Sequence, residues 1–293
     1  MSWRVTIPCT RAQGEAVAEG DELFQSEDSP PVLVADEPDA SKPDAWLIHA
    51  YFDHPPTADE LTALSTLGSG EPSLEQLGEA DWVTMSQAGL QPIRAGRFYV
   101  HTPMYRGSPP GTIPFEIDAG LAFGTGQHAT TAGCLEALED LHRGGVRFAN
   151  IADIGTGTGL LAFAALALWP DAKCIATDID PIAIDVGRDN AAINHVKLGH
   201  GTGELLLGVA DGMDSPLLTA RAPFDLIIAN ILAGPLIELA PQFAKSLSNG
   251  GAVILAGLLD TQSEAVARAY RHEGLRIRDA GSGEWPVLVC EAT

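Results

Sequence analysis

The segment Asp153-Ile-Gly155-Thr-Gly157-Thr-Gly159 constrains the fold more than any other part of the chain. It follows an apolar, β-branched run, Ile151 to Ile154, and precedes the apolar stretch Leu160 to Trp169. Glycine lacks a Cβ and tolerates positive φ, so glycines at alternate positions mark backbone that turns sharply and lets a ligand come close. A strand, a glycine turn and a helix in that order form the first unit of an open α/β sheet, which binds ligands at the carboxyl ends of its strands.

The same rhythm runs on to the end of the chain. Strand-like runs recur at Cys174 to Thr177, Leu205 to Val209, Leu226 to Ala229 and Val253 to Ala256. Helical stretches stand between most of them, at Leu160 to Leu168, Pro181 to Asn194, Pro235 to Leu247 and Thr261 to His272. This alternation predicts a parallel sheet covered on both faces. Arg276 to Ala280 and Trp285 to Cys290, either side of Gly281-Ser-Gly283, read as a closing antiparallel hairpin. The first ninety residues have another texture. Trp3 to Ile7, Trp46 to Phe52 and Asp81 to Met85 are strand-like, and Arg11 to Phe24 and Thr57 to Leu67 are compatible with helix. Thr57 with Glu60 three residues on is a capping-box signature. The expected organisation is a small α+β domain over 1–90, a linker over 91–114 with a strand-like piece at Phe98 to His101, and an α/β domain over 115–293.

The glycine loop has an acidic partner. Asp178 closes the next strand, 23 residues beyond Gly155, where a carboxylate accepts hydrogen bonds from ribose hydroxyls. A dinucleotide fingerprint, G-x-G-x-x-G, sets a helix N-terminus against a pyrophosphate. Here the third glycine comes one residue early and Leu160 occupies the last position. Asp153 at the strand end repels phosphate and suits a cationic ligand bearing an amino group. S-adenosylmethionine, with sulfonium, ammonium and adenosine, fits that description better than NAD. Asp211, after the third strand, either reaches the adenine amino group or caps a turn at Asp211-Gly212.

Charge narrows the partners. Seventeen basic against 39 acidic residues give a formal charge of −22, which repels nucleic-acid backbones and attracts basic proteins. Cys9, Cys134, Cys174 and Cys290 lie far apart with no CxxC, so no zinc framework or other metal site is expected, and reduced cytosolic thiols are. The longest strongly apolar run, Leu160 to Trp169, is half the ~20 residues of a membrane span. The amino-terminal residues lack a signal-peptide pattern, and a cytoplasmic location with no membrane partner is expected.

Asn230 ends the fourth strand-like run, in Asp225-Leu-Ile-Ile-Ala-Asn230-Ile-Leu-Ala-Gly234. Its amide offers both an acceptor and donors to an attacking amine. The Ile-Leu after it is unlike the Pro-Pro-aromatic run with which adenine methyltransferases stack a flipped base. Upstream stands Asp118-Ala-Gly120-Leu-Ala-Phe123-Gly124-Thr-Gly126-Gln-His128-Ala-Thr130-Thr131. Together with Asp153 to Gly159, Asp178 to Pro181, Asn230 to Pro235 and Gly283-Glu-Trp285, it resembles the PrmA family, protein methyltransferases acting on large-subunit ribosomal protein eleven. The resemblance covers 115–293 well and runs more loosely through Asp81-Trp82 and Leu90 to Gly96 into the small domain.

That resemblance implies a Rossmann-like, seven-stranded class I methyltransferase sheet using S-adenosylmethionine to methylate lysine or N-terminal amines. It implies that the small domain binds the basic ribosomal protein, while a linker lets the catalytic domain reach several amino groups. Thr131, Asp153, Gly155, Gly157, Gly159, Asp178, Asp211 and Asn230 are the expected cofactor contacts. Asn230 would orient the amine, and Phe123 with Gly124 to Gly126 would cover the site. His128 is either a proton relay or a histidine packed in a turn. Ala119 and Ala129 replace prolines common in the family. Two other readings stand beside this one: a lysine methyltransferase of a different protein, such as an electron-transfer flavoprotein subunit, and a cofactor-binding module without turnover.

Overall fold

A computed structural model describes residues 2–18, 31–36, 44–52, 54–77, 92–103, 105, 107–117, 127–279 and 283–292. The chain divides into two compact units, Met1–Gly89 and Leu90–Thr293.

The first unit holds β1 (Ser2–Cys9), α1 (Arg11–Ala18), β2 (Val32–Asp36), β3 (Trp46–Phe52), α2 (Ala58–Leu64) and β4 (Ser73–Leu77). They form one antiparallel sheet in the order β2-β3-β1-β4. Side chains alternate across a sheet, so Val5, Ile7 and Cys9 of β1 share a face with Ile48, Ala50 and Phe52 of β3. That face is buried with Val17 and Leu64 from the helices. The capping box forms as expected: the Thr57 hydroxyl accepts the Glu60 N–H at 3.3 Å, and the Glu60 carboxylate accepts the Thr57 N–H at 2.5 Å. The strands at Val32–Asp36 and Ser73–Leu77 are additions to the expected elements, and the expected strand at Asp81 to Met85 lies outside the described residues.

The second unit begins with β5 (Ile93–Ala95), β6 (Phe98–His101) and β7 (Ile113–Glu116), a three-stranded sheet in that order. The segment expected as a linker therefore carries strands, and Ile93, Phe98, Val100 and Phe115 are buried in the core of this unit. Next come α3 (Gln127–Arg143), β8 (Asn150–Ile154), α4 (Leu160–Leu168), β9 (Lys173–Asp178), α5 (Pro181–Ile193) and β10 (Leu205–Val209). The unit closes with α6 (Pro216–Arg221), β11 (Phe224–Asn230), α7 (Ala233–Ser246), β12 (Leu247–Ala256), α8 (Asp260–His272), β13 (Arg276–Asp279) and β14 (Leu288–Glu291).

Seven of these strands make one sheet in the order β10-β9-β8-β11-β12-β14-β13. All pairs are parallel except those of β14 with β12 and β13. The expected α/β sheet and closing hairpin are thus present. Alternation along the strands sends Ile151, Cys174, Leu226 and Ile254 to one face, with α3 and α4, and Ala152, Ile175, Ile227 and Val253 to the other, with α7 and α8. α4 is apolar on every side and almost wholly buried, as an all-round apolar helix must be. Chain order reverses between β8 and β11, which opens a crevice beyond their carboxyl ends.

Candidate active site

The crevice holds a pocket of about 380 Å³. Its walls are Thr130 and Thr131 from α3, Gly155 to Thr158 from the glycine loop, Leu160 and Leu161 from α4, Asn230 to Leu232, Gly257 and Trp285. None of these described walls is lysine or arginine.

Hydrogen bonds fold the glycine loop back over the end of β9. The N–H groups of Gly155 and Thr156 both donate to the Thr177 carbonyl, at 2.8 and 3.0 Å. The Gly157 N–H donates to the Asp178 carboxylate at 2.9 Å, and the other Asp178 oxygen accepts the Asp180 N–H at 3.1 Å. Asp180 then caps α5, accepting the Ile182 N–H at 2.8 Å ahead of Pro181 at the first helical position. Gly155 has φ +72°, and a Cβ there would stand 2.2 Å from Ile231 Cγ2. Gly257, just past β12, has φ +85°, and its Cβ would meet the Ile231 carbonyl oxygen at 2.4 Å. Ile231 is therefore wedged between two glycines, which fixes the backbone beside Asn230. The Asn230 side chain donates to the Thr131 hydroxyl at 3.4 Å, tying the end of β11 to the first turns of α3.

Residues 3–293 match the profile of the ribosomal protein L11 methyltransferase (PrmA) family. A ribosomal protein L11 methyltransferase of Brucella suis is 47% identical over 221 residues, covering 74% of this chain and 75% of that protein. One from Mesorhizobium japonicum is 47% identical over 203 residues, covering 69% and 68%. A solved ribosomal protein L11 methylase from Lactobacillus delbrueckii subsp. bulgaricus superposes with a TM-score of 0.58 at 27% identity, covering 70% of this chain and 99% of that one. The chain belongs to the PrmA family.

As a PrmA-family chain it is an S-adenosylmethionine-dependent protein methyltransferase. The residues present fit that cofactor. A Cβ at Gly157 (φ +52°) would meet nothing within 4 Å, so the loop leaves open space above itself. A carboxylate stands next to it, and no described wall cation is there to balance a pyrophosphate. Gly159, the left-handed residue before α4, serves packing instead, because a Cβ there would strike the Phe163 ring at 2.6 Å.

The expected site residues are distributed unequally. Thr131, Gly155, Gly157 and Asn230 share the pocket, and Asp178 adjoins it through the Gly157 N–H. Asp211 is exposed in a turn, where its carbonyl accepts the Asp214 N–H at 3.1 Å, and it is not a wall. Asp153, expected to face the donor's positive charge, is turned inward instead. It is 1% exposed, lies near Cys134 and Cys174, and accepts the Thr156 hydroxyl at 2.6 Å. Burial is the main cause that pushes its carboxyl up to about 7; the Asp178 charge adds to this, and the Thr156 hydroxyl and Ala162 amide oppose it. Asp153 thus braces the loop and the start of α4 from beneath. Phe123 and Gly124 to Gly126 lie outside the described residues, as does the His128 side chain. Gly257 and Ile231 are site residues that sequence reasoning missed, although a glycine directly after a strand-like run is a readable signal. Trp285 stands out in the sequence only as part of the family motif, since the segment before β14 is brought to the pocket through tertiary pairing alone.

Proposed function

We propose that this protein methylates amino groups of ribosomal protein L11, at lysine side chains and/or the N-terminus, in the cytoplasm and without direct contact to nucleic acid or membrane. Relatives bearing that activity in their names support the target. The observation that carries the chemistry is the Asn230 amide, held by Thr131, opening on the same pocket as the glycine loop.

When bound, S-adenosylmethionine supplies a methyl group that a neutral amine can take from the sulfonium. A lysine of pKa ~10.4 is neutral in about one molecule in a thousand near pH 7.4, a cost of roughly 4 kcal/mol. Leu160, Leu161, Ile231 and Leu232 make the pocket apolar enough to disfavour the ammonium form. The Asn230 carbonyl accepts from the incoming amine and directs its lone pair, so the chain contributes alignment more than acid–base strength. Asp178 accepts the ribose hydroxyls, Gly155 and Gly157 let the cofactor approach, and Asp211 is the candidate acceptor for the adenine amino group. Phe123 shields the site, and residues 1–90 recognise the target protein.

The test is incubation of the purified protein with labelled S-adenosylmethionine and a mixture of ribosomal proteins, the label then being located by mass spectrometry. Label on L11 amines is expected. Label on other proteins only, or on none, would refute the proposal.

A further inference from the structure

Two asparagines one turn apart, in α5 and at its C-cap, have no part in the chemistry above. Asn190 is fully buried, and its Nδ2 donates to the carbonyl of Thr158, inside the glycine loop, at 3.2 Å. Asn194 stands just past the last turn of the helix and pairs head-on with the peptide of Glu116 in β7. The Glu116 N–H donates to Oδ1 at 2.9 Å, and Nδ2 donates to the Glu116 carbonyl at 2.7 Å. The same Nδ2 also reaches the Asn190 carbonyl at 2.8 Å. Hydrogen bonds therefore run without a break from the glycine loop, through one turn of α5, to the end of β7.

The next described element after β7 carries a wall of the pocket. Ile117 is buried, and its N–H donates to the His101 carbonyl at 2.9 Å. The described chain resumes at Gln127 in α3, which carries the pocket walls Thr130 and Thr131. The end of β7 is thus held on two sides, by the Asn194 amide and by the His101 carbonyl. A side-chain amide offers a donor and an acceptor side by side, as a neighbouring strand would. Aspartate has the same shape but would set an oxygen against two carbonyls.

We propose that Asn194, acting with Asn190, is a positioning residue for methyl transfer, holding the end of β7 in register with the glycine loop so that a ligand on the loop is felt at Glu116. This rests on the methyltransferase assignment of the pocket and not on which protein is methylated. An apolar route also exists, from Gly159 through Phe163 to Phe115, whose rings lie 6.3 Å apart. It ends in the same strand, so protection of 113–117 that persists in Asn194→Ala would assign the transmission to it and overturn the proposal.

The test is hydrogen exchange on the full chain with and without S-adenosylhomocysteine, whose affinity is measured by calorimetry. In the unsubstituted protein, the ligand should slow exchange at residues 155–158 and also at 113–117. In Asn194→Ala the first effect should persist and the second should largely vanish, with kcat falling about tenfold because alignment is lost. Asn194→Asp, equal in size, should lose at least as much. The proposal is overturned if the ligand leaves 113–117 unchanged in the unsubstituted protein, or if Asn194→Asp transmits protection as the unsubstituted protein does. Absence of any binding in calorimetry would remove the pocket assignment and this proposal together.

Discussion

The Asn230 amide is placed by its neighbours as well as by its own strand, where it pairs in register with Ala256. Ile231 is caught between Gly155 and Gly257, and Thr131 takes a hydrogen bond from Asn230 itself. Asn230→Ala should lower methyl transfer to the protein substrate far more than it weakens S-adenosylhomocysteine binding. Equal losses in kcat and in affinity would place Asn230 at the cofactor instead. Gly257→Ala puts a methyl group against the Ile231 backbone at φ +85°, so a loss of roughly 1–3 kcal/mol is expected, read as a lower Tm. Asp178→Ala removes the acceptor for the Gly157 and Asp180 N–H groups and the acceptor proposed for the ribose. Calorimetry should show S-adenosylhomocysteine affinity falling about tenfold or more, since hydrogen bonds to a charged group contribute about 1.5–3 kcal/mol.

Among the elements, the join of β8 to α4 is where stability is expected to depend on pH. Asp153 ionises near its ordinary 3.8 when unfolded and at about 7 when buried. The native state therefore holds the extra proton between those values, and ∂ΔG/∂pH is negative there. Its contribution to stability is complete below about pH 4 and is lost as pH rises to about 7. Asp153→Asn should flatten this part of the stability–pH curve in chemical denaturation, and a retained slope would assign the dependence to another group. The elements that carry the pocket are largely legible in the sequence, because β8 to β12 are short apolar runs set apart by helices and glycine turns. α3 is not. Its apolar residues Cys134, Leu135, Leu138 and Leu141 lie on one face, but glycine, threonine and histidine around them blur the period, and the sheet supplies the burial. β2 and β4 escape notice because edge strands take their shape from the strand they pair with. The inward turn of Asp153 is illegible too, since one residue of register decides which face a strand side chain takes.

For the molecule as a whole, the −22 charge favours encounter with a basic ribosomal protein. Added salt should lower kcat/KM for L11 while leaving S-adenosylhomocysteine affinity nearly unchanged, and salt-independent turnover would contradict electrostatic steering. If residues 1–90 receive the target, zero-length cross-linking should join their carboxylates to L11 lysines. Links confined to 91–293 would contradict that role. The division into a small and a large unit can be read from texture, and so can the strand at Phe98–His101, but β5 and β7 cannot be told from a connecting segment, being only three or four residues each. Underneath all of this lies one claim, that the crevice between β8 and β11 receives a sulfonium donor and not a pyrophosphate carrier. Titration calorimetry with S-adenosylhomocysteine and with NAD tests it most directly. Saturable, micromolar-or-tighter binding of S-adenosylhomocysteine with no heat from NAD is the predicted result. Tight uptake of NAD with indifference to S-adenosylhomocysteine would contradict it.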